Sequence, residues 1–65
     1  MASPSPASYG PDTTLIELVE AGGEWFVRIV EVGHEFVLSF ELEYLALAYA
    51  ESERIRLGLE RFDRL

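Results

Sequence analysis

The sequence predicts an α+β domain, a three-stranded antiparallel β-meander followed by one long α-helix packed on one sheet face, in the order β-β-β-α. Three observations carry this expectation. Two runs rich in β-branched and aromatic residues, TTLIELVE and EWFVRIVEV, are separated by Ala21, Gly22 and Gly23, and Gly-Gly suits a tight primed hairpin turn. A third such run, Glu35 to Phe40, follows Gly33-His34. Residues 40–57 then contain neither Gly nor Pro and are dominated by Glu, Leu, Ala and Arg, all strong helix formers.

The register of the first hairpin follows by counting outward from Gly22-Gly23. Glu20 faces Trp25, Leu18 faces Val27, Glu17 faces Arg28 and Ile16 faces Ile29. This sets the only base of residues 1–53 opposite a carboxylate, a favourable cross-strand pair, and gathers Ile16, Leu18, Trp25, Val27 and Ile29 on one face. A slip of one residue would lose both features. A second two-residue turn at Gly33-His34 sets Glu31 against Phe36, Ile29 against Leu38 and Val27 against Phe40. Phe36, Leu38 and Phe40 thereby join the same apolar face, and Phe36→Ala is expected to act as a core truncation costing roughly 3 to 5 kcal/mol.

For the helix, Ser39 is the natural N-cap, Glu41 and Glu43 suit the positive end of its dipole, and Arg54 and Arg56 suit the negative end. Gly58 is placed to end it in the left-handed conformation. Leu42, Leu45, Ala46, Tyr49 and Ala50 form one stripe at helical spacing, with Leu42, Leu45 and Tyr49 the expected sheet contacts. Residues 44–50, YLALAYA, carry no charge, so Tyr44, Leu47 and Ala48 give the helix a second apolar face. The sheet shows a matching excess, because the face away from the helix collects Leu15, Val19, Phe26, Val30 and Val37. A single-layer antiparallel sheet usually turns a polar face to water. Both surfaces are therefore candidate interfaces.

The remaining segments are short. Residues 1–12, MASPSPASYGPD, hold all three prolines and read as a disordered tail. The domain proper spans 13–58. Residues 59–65 resume helical spacing through Leu59, Phe62 and Leu65 and are expected as a short helix or a tail.

Composition narrows the function class. A chain of 65 residues buries only about 60% of its unfolded surface, which leaves it marginal alone. With no Cys it has neither disulfides nor thiolate metal sites, so oligomerisation is the expected stabiliser. The net charge is −7. Residues 1–53 carry ten acids against Arg28, whereas residues 54–65 carry four arginines against Glu60 and Asp63. An acidic body repels phosphate backbones, so no nucleic-acid binding is expected, and Arg54, Arg56, Arg61 and Arg64 form a candidate basic contact patch. No apolar run approaches the roughly 20 residues that span a bilayer. Without a signal-peptide pattern the expected location is the cytoplasm.

No catalytic, cofactor or metal site is expected. His34 sits at a turn, Glu41 and Glu43 point apart on a helix, and Gly22-Gly23 lacks the spacing of a phosphate-binding loop. No enzyme activity and no small-molecule substrate follow. The expectation is a small acidic protein–protein interaction module, a homodimeric adaptor or regulator of a larger partner. The alternative is an acidic nucleic-acid mimic that occupies a nucleic-acid-binding protein through Glu17, Glu20, Glu24, Glu31, Glu35, Glu41 and Glu43.

Overall fold

The computed structural model describes residues 12–65. The expectation of a tail over residues 1–12 falls, apart from Asp12, outside them. Strand β1, Thr14–Ala21, and strand β2, Glu24–Glu31, form the first hairpin. Gly22 and Gly23 take φ of 61° and 85°, the left-handed angles that a type I′ turn requires of both central residues. Every pair in the counted register is formed, including Glu20 with Trp25, Leu18 with Val27 and Glu17 with Arg28. The carboxylate of Glu20 closes the turn by accepting from the Gly23 N–H at 2.9 Å.

The second turn differs from expectation by one position. Its central residues are Val32 and Gly33, at φ of 51° and 80°, and strand β3 is His34–Phe40. Glu31 therefore faces His34, Ile29 faces Phe36, Val27 faces Leu38 and Trp25 faces Phe40. This shifts the partner of each β2 residue by two positions. Side chains alternate with period two, so a shift of two leaves every one on its expected face. The observed register offsets the strain of a β-branched residue at positive φ in three ways. It brings Glu35 within 3.1 Å of the Arg28 guanidinium and sets Trp25 beside Phe40. The turn backbone also binds the start of β1 and the residue before it, Val32 N–H donating to Thr14 Oγ1 at 3.3 Å and Gly33 N–H to the Thr13 carbonyl at 3.0 Å.

Helix α1 spans Glu43–Leu57, three residues shorter at its start than the sequence suggests. Ser39 is not its cap, because β3 continues to Phe40 to complete the ladder with Trp25. Leu42 takes the N-cap position in an extended conformation with no side-chain capping bond, and only Glu43 lies in the first turn. The other end is as expected. Gly58 adopts φ 73°, its N–H donates to the Ile55 carbonyl, and the Leu59 N–H donates to that of Arg54. These are the two bonds of a Schellman motif.

After the helix the chain returns to the far edge of β1. Residues 63–64, expected as helix or tail, form a two-residue strand β4, Asp63–Arg64, parallel to β1. The Leu65 N–H donates to the Leu18 carbonyl at 2.8 Å, and the sheet order is β3-β2-β1-β4. The core joins Ile16, Leu18, Val27 and Ile29 to Ala46 and Ala50, with Trp25, Phe40, Leu47, Tyr49, Leu57, Leu59 and Phe62 packed around it.

Two alanines with no exposed area at the helix–sheet contact let the helix backbone lie close to the sheet. The cost is reach. Leu42 and Leu45, expected as sheet contacts, are exposed, and so are Phe36 and Leu38 at 54% and 39%. The helix seats itself over β1 and β2, where those alanines pack, and leaves the inner face of β3 largely open. The architecture is α+β as expected, with Phe36 on the predicted face but outside the core.

Candidate interaction surface

The residues singled out as interface do not converge. On the outer sheet face Leu15, Val19 and Phe26 are half-buried, and Val30 has no exposed area at all. The face is knit together by Arg28, whose Nε lies 3.5 Å from Glu17 and 3.1 Å from Glu35. Val30 thus cannot be offered to a partner by this fold, and of the five only Val37 is open, at 55%. On the helix Tyr44 and Ala48 are exposed. Leu47, by contrast, packs against the core, because it lies one residue beyond Ala46 on the side of the helix that turns toward the sheet. The helix covers one sheet face and Val37 points from the other.

The arginines are also placed otherwise than expected. Each is engaged by a carboxylate of the same chain. Arg54 reaches Glu51 at 2.6 Å and also donates to the Leu59 carbonyl at 2.8 Å. Arg56 bridges Glu53 at 2.6 Å and Glu31 at 3.1 Å. Arg64 reaches Glu43 at 2.6 Å and lies over the Trp25 ring, 5.8 Å from its centroid. Arg61 is the loosest, 3.9 Å from Asp63. The hydrogen bond from Arg54 holds the Glu51 carboxyl below the usual carboxylate range, and the bonds to Glu53 and Glu31 push Arg56 upward. Arg56 thus ties the helix to β2 and Arg64 ties β4 to the helix, while Arg54 and Arg61 pair locally.

What the fold does bring together is strand β3 and the side of α1 that faces it. Six of the seven β3 residues are exposed, all but Phe40. The strand is an edge of the sheet, so one row of its backbone N–H and C=O groups has no strand beside it. Contiguous Phe36, Val37 and Leu38 are all open. Between β3 and the helix runs an open groove of about 260 Å³, lined by Ile29, Phe36, Leu38 and Tyr49, with Arg56 between Glu31 and Glu53 at one end. The Tyr49 ring stacks obliquely on Phe40, 5.5 Å between centroids. Burial, reinforced by the nearby Glu53 carboxylate and partly opposed by Arg56, raises the phenol above its ordinary value.

Sequence reasoning missed this edge, although a signal was present. The third strand of a meander has a neighbour on one side only, and HEFVLSF contains no Pro, no Lys and three consecutive large apolar residues. Natural edge strands are usually blunted by such charges, prolines or bulges, or covered by another element.

His34 is exposed at the start of β3, opposite Glu31. Among the described residues no group of three His, Cys, Asp or Glu side chains is placed to hold a metal ion. No helix among them is long and apolar enough to cross a membrane. No protein-family model, curated protein or solved structure matches the chain.

Proposed function

We propose that this chain is a protein–protein interaction module that acts in the cytoplasm as a homodimeric adaptor or regulator of a larger partner, with a binding rather than a chemical role. The observation that supports this reading is the open strand β3, an uncovered sheet edge with exposed Phe36, Val37 and Leu38. An edge of this kind is a template for another strand. A chain of this size also gains most from a cover that buries further apolar surface.

The acidic-mimic alternative draws less support. It needs carboxylates in a row, whereas Glu17, Glu31, Glu35 and Glu43 each pair with an arginine of the same chain. The test of the preferred reading is sedimentation equilibrium of the full chain from micromolar to millimolar concentration. A weight-average mass rising from 7.3 kDa toward twice that value is expected. A mass that stays at one chain throughout contradicts it.

A further inference from the structure

We infer that the self-association surface is the outer edge of β3, and that two copies pair it antiparallel about a two-fold axis through Val37, joining their sheets into one of eight strands. The inference rests on the homodimer reading above and gives it a site and a register.

The hydrogen-bond alternation comes first. Val32-Gly33 is a two-residue turn with both φ positive, so the flanking pair, Glu31 and His34, is hydrogen-bonded. Bonded and non-bonded pairs alternate from there along an antiparallel ladder. His34, Phe36, Leu38 and Phe40 therefore spend their backbone groups on β2. Those of Glu35, Val37 and Ser39 point to the open edge.

The sequence of this edge is self-complementary. With Val37 facing Val37 of the second copy, Glu35 faces Ser39, Phe36 faces Leu38 and His34 faces Phe40, so all seven residues of the strand are paired. The pairs Val37 with Val37 and Glu35 with Ser39 fall where both partners have outward backbone groups, which makes six inter-chain hydrogen bonds by symmetry. Phe36 meets Leu38 at the non-bonded positions, where cross-strand side chains approach most closely. Both copies' inner faces then lie on the same side, and their exposed Phe36 and Leu38 side chains become one apolar floor.

Charge selects this register, and the low charge of β3 makes it a stretch on which a second copy of this acidic chain meets little local repulsion. In a chain of net charge −7, β3 carries a single acid, Glu35, and the two-fold through Val37 sets it against serine. Moving the axis to Leu38 would set Glu35 against Glu41, a like-charge pair. Moving it to Phe36 would leave Ser39 and Phe40 without partners. The other sheet edge, β4, is two residues long and offers no comparable ladder.

Sedimentation equilibrium of the full chain and three variants tests the inference. Val37→Pro removes one outward N–H but no bond to β2, which an edge strand tolerates, and is expected to abolish the dimer while the circular dichroism spectrum stays native. Ser39→Arg places a cation opposite Glu35 twice per dimer and is expected to tighten association by about tenfold. Ser39→Glu is expected to weaken it by about as much. If the wild-type chain stays monomeric at millimolar concentration, both the homodimer reading and this site fall. If it dimerises but Val37→Pro, natively folded, dimerises equally well, the edge is overturned and the homodimer reading stands. Should Val37→Pro unfold, the Ser39 pair decides, since equal dissociation constants for the two charge variants contradict the register.

Discussion

Strands β1 and β3 flank the same central strand, yet they end in opposite environments. Ile16 and Leu18 of β1 are 1% exposed, whereas their counterparts across β2, Phe36 and Leu38, are 54% and 39% exposed. Composition does not explain this, since both strands alternate large apolar residues on the inner face. The difference lies in what covers them. Ala46 and Ala50 bring the helix close over β1 and β2, and β4 with Phe62 and Leu59 seals the far side. Nothing among the described residues extends the same cover to β3. One side of the sheet is a small core, and the other is an apolar ledge with an open backbone edge.

The same substitution on the two sides gives the largest contrast. Leu18→Ala should cost roughly 2 to 5 kcal/mol in urea unfolding at low micromolar concentration, as deletions in packed cores do. That loss is comparable to the whole stability of so small a domain. Leu38→Ala, at 39% exposure, should cost about 1 kcal/mol under the same conditions, because most of its transfer free energy is not realised in the single chain. Equal losses would remove the distinction.

Overpacking offers a second route to the same comparison. Ala50→Leu inserts three carbons where no space is exposed and should cost about 1 to 3 kcal/mol, while Ala48→Leu on the open helix face should leave thermal unfolding nearly unchanged.

Two local strains should be relievable. Val32 is β-branched at φ 51°, and Asn tolerates that region far better, so Val32→Asn should stabilise the chain by about 1 kcal/mol. Leu42 caps α1 without a side-chain bond, and Leu42→Asp should stabilise by a similar amount, about 1 kcal/mol.

The smallest effect concerns Glu51. Its carboxyl is held below the usual range by Arg54, so whatever it contributes is present above the ordinary carboxylate pKa and lost as pH falls through the lowered one. Glu51→Gln should leave the melting temperature at pH 7 almost unchanged, because exposed pairs are screened, and the two proteins should converge fully in acid.

Much of the sheet was legible in the sequence because its turns constrain it. Gly22-Gly23 permits positive φ twice, so the first hairpin could be counted residue by residue, down to the Glu17–Arg28 pair. The second turn was displaced because valine is a poor candidate for positive φ, and what favours it, the ion pair of Glu35 with Arg28, the Trp25–Phe40 pair and the turn's hydrogen bonds to Thr13 and Thr14, is visible only in the folded sheet. Faces survived that error because it amounted to two residues. The helix start was misread for a related reason. Ser39 is a good cap in isolation, but the ladder to β2 claims its strand through Phe40.

Ala46 and Ala50 lie on the stripe that helical spacing marks and are buried, but the exposure of Leu42 and Leu45 on that same stripe was not legible, since residues 44–50 are apolar on every side and the spacing does not fix how the helix turns toward the sheet. Strand β4 was invisible because Asp-Arg has little β preference and joins the sheet through its backbone. Which apolar residues stay exposed was therefore less legible than the fold. Apolar excess is legible where residues alternate, on the outer face, while the open edge depends on where the helix comes to rest.

Amide hydrogen exchange along β3 tests the contrast most directly, because neighbouring residues are expected to differ. At low micromolar concentration the amides of Phe36, Leu38 and Phe40 should be protected by β2, whereas those of Glu35, Val37 and Ser39 should exchange close to the rate of an unstructured chain. Raising the concentration toward millimolar should slow these three and leave the other three nearly unchanged. Uniform protection along the strand at the lowest concentration would contradict the account, since it would mean that the edge is already covered within a single chain.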